Sequence, residues 1–197
     1  MADGVQRPLL TMPEAESAAL AAAYQSAQVI LEYGTGGSTV LGGDLPGRRI
    51  FSVESSAEWL GQMRDWFAAN PPKAALVLHH GDIGKTRKWG FPADNSQVGR
   101  WAAYPVSVWD RADFSHPDVV LIDGRFRAAC FYTTALRITR PVRVLWDDYA
   151  ERPHYHQVEE MAGPPRMAGR MALFDLTPTP FEPARMAVMI TAFLRPE

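Results

Sequence analysis

"VILEYGTGGSTV", residues 29–40, decides the fold. Its apolar opening predicts a strand over 29–33, and the glycines at 34, 36 and 37 predict a tight turn that passes close to something bound. Glu32 is wedged between the two. Strand, glycine turn and helix in succession form the opening unit of an α/β sheet, whose ligands bind beyond the carboxyl ends of the strands. A carboxylate at that point would repel a diphosphate and attract an ammonium group. Thr39 also stands where the dinucleotide fingerprint has its third glycine, which disfavours a nicotinamide cofactor. The acid suits a cationic ligand.

The same alternation runs outward from this unit. Pro13, Glu14 and Glu16 open a helix continued by "SAALAAAYQSA". Residues 48–55, 74–80, 118–124 and 142–149 read as strands. Trp59, Leu60, Met63, Trp66 and Phe67 fall at helical spacing within 57–70, and 125–138 and 154–163 read as further helices. "RMALFDL" (170–176) and "RMAVMITAFL" (185–194) read as two closing strands, an antiparallel hairpin joined by "TPTPFEP". The expected fold is α/β, a doubly wound and mostly parallel seven-stranded sheet with a C-terminal antiparallel hairpin. Residues 84–117 break the rhythm, with turn residues, three tryptophans and no sustained period, as functional lids do. Acids stand at successive strand ends: Glu32, Glu54, Asp82, Asp123, Asp147 and Asp148.

At 197 residues, 47% hydrophobic and 21% charged, the chain fits one globular domain spanning 1–197. A net charge of −2 and only three lysines, Lys73, Lys85 and Lys88, give no basic stripe, so no nucleic-acid partner is expected. One cysteine, Cys130, excludes an intramolecular disulfide and a Cys-based zinc site, and its apolar setting suits a buried, inert thiol. The N-terminus lacks a basic start followed by an apolar core, and no run approaches the ~18–20 apolar residues of a membrane span. A cytoplasmic protein with no membrane partner is expected, and a homo-oligomer is compatible with the composition.

"LEYGTGGST" resembles the first motif of the class I S-adenosylmethionine-dependent methyltransferases, and the sheet with its closing hairpin is similar to their Rossmann-like fold over roughly residues 27–194. The resemblance implies S-adenosylmethionine as cofactor. Glu32 would then lie near its amino group, Gly34, Gly36, Gly37 and Ser38 would line it, and Glu54 with Ser55 would hold the ribose. Asp82 and Ile83 would meet the adenine, and Asp123 would close the site. It also implies methyl transfer to a small-molecule acceptor, a hydroxyl before an amine, with 84–117 as lid and acceptor pocket. A protein that holds S-adenosylmethionine or S-adenosylhomocysteine without catalysis is the alternative.

"VLIDGRFR" and "LWDDY" are similar to the catechol-type O-methyltransferases, which implies Mg²⁺ held by Asp123, Asp147 and Asp148. Read without the metal, these acids cap turns and bond loop backbone, and both readings stay open. Phe126 stands where those enzymes carry a lysine base. Asp123 and His154 are therefore the candidate catalytic groups, histidine because it titrates near neutral pH unaided. Arg125 and Arg127 are expected at the surface, with Arg125 near enough to the pocket to bind an anionic acceptor.

Overall fold

The computed structural model describes residues 6–197; Met1–Val5, with Asp3 among the N-terminal acids, lie outside them. Helix α1 (Glu14–Ser26) precedes strand β1 (Val29–Tyr33) and helix α2 (Gly37–Gly43). Then follow β2 (Arg49–Glu54), α3 (Ala57–Ala69), β3 (Ala75–His80), the short α4 (Ala103–Val106), β4 (Val119–Ile122), α5 (Arg127–Arg137) and β5 (Val142–Trp146). The chain closes with α6 (Glu159–Ala162), β6 (Arg166–Ala168), β7 (Met171–Leu176) and α7 (Met186–Phe193). The strands form one seven-stranded sheet in the order β3-β2-β1-β4-β5-β7-β6. β1 pairs in parallel with both β2 and β4, while β7 runs antiparallel to β5 and to β6. Strand order reverses at β1 and β4, the switch point where such sheets open a crevice at their carboxyl ends.

Alternation along the strands sorts the core into two layers. Leu31, Tyr33, Phe51, Val53, Ile122 and Trp146 pack with α5 on one face, whereas Ile30, Ile50, Leu121 and Leu145 meet Leu20, Ala23 and Tyr24 of α1 on the other. Glu32 alternates onto the α1 side, a polar group in an apolar layer. Cys130 is fully buried, and burial pushes its thiol well above the usual range, as expected of an inert residue. Among the described residues no helix is long and apolar enough to cross a membrane.

Two segments differ from the sequence reading. The closing hairpin is β6–β7, turned at Gly169 and Arg170, and residues 186–193 form α7 instead of a strand. β6 already occupies the sheet edge, and Met189 and Ala192, three apart, turn one helical face inward. Residues 84–117 are the crossover from β3 to β4. Trp101, Tyr104, Val108 and Trp109 from this segment sit in the main core, while Trp89 stays largely exposed at 76%. The absence of a helical period there reflects short turns at 88–90, 98–100, 103–106 and 107–110.

Gly34 carries the turn out of β1. Its φ is +108°, and a Cβ placed there would lie 2.8 Å from the Gly124 amide. Both the left-handed backbone and the close approach of the β4 loop require glycine. Gly34→Ala is expected to lose about 1–3 kcal/mol of stability, read by chemical denaturation; an unchanged midpoint and slope would contradict this packing of β1 on β4.

Candidate active site

Glu32 ends β1 fully buried. Its Oε1 accepts a 2.5 Å hydrogen bond from the Tyr24 hydroxyl of α1, and its Oε2 has no partner among the described residues. Burial raises its pKa, opposed by the hydroxyls of Tyr24, Thr39, Ser52 and Ser38. The acid therefore points beneath the glycine turn, toward α1 and α2, and not into open space. Its unsatisfied oxygen is still a demand for a donor, since a buried acceptor without a partner is costly. Ser38 is buried nearby, and no atom lies within 4 Å of a Cβ placed at Gly36, so the turn is open there. A Cβ at Gly37 would collide with the backbone of Leu9 and Leu10, so an N-terminal strap crosses the start of α2.

At the end of β2, Glu54 accepts from the amides of Ser55 and Ser56, both at 2.8 Å, and from that of Thr35 in the glycine turn at 3.4 Å. Burial raises its pKa and these amides pull it back. Ser55 Oγ donates to the Gly90 carbonyl at 2.8 Å, so the crossover lies directly over this strand end. Asp82, half-exposed, pairs with Arg100 and accepts from the Gly84 amide, while Ile83 is fully buried. Tyr104 fills the space between these loops. A Cβ at Gly81 would touch its Cα, and its hydroxyl lies against Gly124 and accepts from the Arg125 amide at 3.3 Å. The glycine turn and the ends of β2, β3 and β4 thus converge as expected, beneath a cover of Gly90 and Tyr104.

Asp123, Asp147 and Asp148 also converge. One oxygen of each lies within 4.8 Å of the others. Their partners are arginines. Arg127, 3% exposed, reaches Asp123 and Asp148 at 3.3 Å each, and donates to the carbonyls of Gly124, Asp123 and Asp147 at 3.0, 3.1 and 2.6 Å. Arg170 grips buried Asp147 with two nitrogens, at 3.1 and 2.9 Å, and touches Asp148 at 3.0 Å. Arg152 holds Asp148 at 2.9 Å. Three carboxylates meet three guanidinium groups, so a divalent cation would enter a site already neutral. The residues as they stand do not fit Mg²⁺, which wants carboxylate oxygens free to complete an octahedron.

Arg127 is thus not at the surface, a correction to the sequence reading. Helix α5 is buried on every side from Arg127 to Thr134, and a cation in its first turn must find acids inside. Tyr24 and Arg170 were missed as well. Tyr24 lies four residues beyond Leu20 on the buried face of α1, so its hydroxyl needed a partner; Arg170 gave no local signal.

Asp123 has a raised pKa. Burial, with Asp147 and Asp148 behind it, pushes its carboxyl up to about 6 against the pull of Arg127. It keeps about a third of its side chain exposed and sits at the β1–β4 switch, its amide bonded to the Tyr33 carbonyl at 2.9 Å. His154 is exposed and leans on Tyr155 with ring centres 4.4 Å apart; no hydrogen bond among the described residues joins it to Asp123.

No protein-family model matches the sequence, and no curated relative does. Among solved structures the chain is similar to a methyltransferase-like protein of Silicibacter pomeroyi DSS-3, with 48% identity over 96% of this chain and 99% of that one, at a TM-score of 0.92. It is also similar in fold to the O-methyltransferase TomG of Streptomyces achromogenes, which is involved in tomaymycin synthesis and was crystallised with S-adenosylmethionine. That likeness is 17% identity over 72% of this chain and 58% of that one, with a TM-score of 0.50.

Proposed function

We propose that the chain, a member of the family of the methyltransferase-like protein with which it shares 48% identity, uses S-adenosylmethionine to transfer a methyl group to a hydroxyl of a small molecule without a metal ion. The observation that carries this reading is the convergence of strand ends at the β1–β4 switch. There the glycine turn meets Gly124, Glu54 meets the turn at Thr35, and Asp123 stands at the end of β4. When bound, S-adenosylmethionine supplies a methyl group activated by its sulfonium. Glu54 would hold the ribose hydroxyls, and Glu32, enclosed beneath the turn with Oε1 on Tyr24, would act on a cationic amino group through its charge across the turn and not by direct contact. Backbone at Gly34, Gly36 and Gly37 with Ser38 and Ser55 would line the cofactor, with Asp82 and Ile83 on its adenine side.

Asp123 takes the proton from the acceptor hydroxyl. A base whose pKa is about 6 is ionised at neutral pH yet basic enough to accept a proton. Arg127, on one of its oxygens, fixes the orientation and leaves the other for the acceptor. The cover formed by Gly90 and Tyr104 must shift to admit ligands, which gives residues 84–117 the part of a lid. That cover also favours a second reading, a protein that holds the cofactor or its product without catalysis. Turnover separates the two.

Cofactor binding is tested at Glu54. Glu54→Gln keeps the shape and removes the charge from two hydroxyl contacts, each worth about 1.5–3 kcal/mol. Affinity for S-adenosylmethionine is expected to fall at least about tenfold by calorimetry. Wild-type affinity in the folded variant would mean that β2 does not end at the ribose.

A further inference from the structure

Of the four arginines gathered at the ends of β4 and β5, Arg125 stands apart. Arg127, Arg152 and Arg170 each hold carboxylates. Arg125 is half-buried, and no carboxylate among the described residues lies within 4.0 Å of its guanidinium. Its guanidinium carbon lies 4.1 Å from the centre of the Phe91 ring, which also carries Arg87 at 5.3 Å. Burial and the neighbouring charges of Arg127 and Arg152 pull its pKa down, so its charge is held in place at some cost. Stacking on a ring uses the flat face of a guanidinium and leaves its edge, with the N–H fork, open. A planar fork with no partner among the described residues matches a carboxylate or a phosphate.

We propose that Arg125 anchors an anionic group of the acceptor, a carboxylate or phosphate, with the reacting hydroxyl directed at Asp123 two residues away. The substrate class is therefore a small hydroxylated carboxylate or phosphate ester. Calling the bound molecule the acceptor rests on the methyl-transfer reading; the anion site rests only on the charges and geometry around Arg125.

The test is calorimetry at low salt, in a buffer free of phosphate and carboxylate and without cofactor. The probes are 4-hydroxybenzoate, 4-hydroxyphenyl phosphate and the neutral 4-hydroxybenzamide. Either anion is expected to bind at least tenfold tighter than the amide, and the first two arms tell carboxylate from phosphate. Arg125→Ala is expected to abolish the preference and Arg125→Lys to keep part of it, with thermal unfolding confirming that both variants fold. Equal binding of anion and amide, binding of neither at millimolar concentration, or a preference that survives in Arg125→Ala would overturn the proposal. If anions bind as expected but no S-adenosylhomocysteine ever forms, methyl transfer fails and the anion site stands. If turnover occurs with no charge preference, the reverse holds.

Discussion

Arg127→Met is expected to lower the stability of the fold by about 3–5 kcal/mol, the loss typical when one partner of a buried ion pair is removed. The guanidinium is almost wholly enclosed and spends its N–H groups on three backbone carbonyls and two carboxylates. Methionine fills the volume and satisfies none of them. In a chain of this length, a loss of that size shifts the melting temperature by roughly 6–20 °C. The deficit should also depend on pH. Arg127 holds the Asp123 carboxyl down, so the variant should bind that proton above about 6, and the gap to wild type should narrow as pH falls toward that value. Arg127→Lys, which keeps the charge and loses the fork, should fall between. A variant as stable as wild type at neutral pH would mean that the three acids are satisfied some other way.

Asp123→Asn is expected to cut turnover by roughly a hundred- to ten-thousandfold, the range for losing a positioned general base, with cofactor affinity changed far less. The wild-type kcat/KM should rise with pH through an inflection near 6, where Asp123 loses its proton, and not near 4 as for an ordinary aspartate. Stability should move in the opposite sense. Between about pH 4 and 6 the unfolded state has released this proton and the folded state retains it. Wild-type stability therefore declines as pH rises through that window. The asparagine variant lacks that decline and should gain on wild type above pH 6. A flat rate profile from pH 5 to 7, or an asparagine variant with full turnover, would remove Asp123 from the chemistry.

How much of this was legible depends on how local the physics is. The strand and turn at 29–40 were readable because periodicity and glycine act within a few residues, and each acid at a strand end follows from the same repeat. The closing segment was misread. "RMAVMITAFL" carries β-branched residues and suits either state by composition, and only the prior occupation of the sheet edge by three residues of β6 makes it a helix. The acids 123, 147 and 148 were placed correctly and their partners were not. Which cation neutralises them is settled by Arg170, which comes from the β6–β7 turn. The left-handed backbone at Trp89, Phe126 and Asp148, φ +66°, +51° and +56°, was also beyond reading, since no glycine announces it. All three flank the site, where strained backbone tends to gather.

Methyl transfer itself is the most direct test. The protein would be incubated with S-adenosylmethionine, EDTA and a panel of small hydroxylated acceptors, and formation of S-adenosylhomocysteine followed over time. Acceptor-dependent product that is indifferent to EDTA and lost in Asp123→Asn is the expected result. No product with any acceptor, from a protein shown by calorimetry to bind S-adenosylmethionine, would contradict it and leave a protein that holds its cofactor without using it.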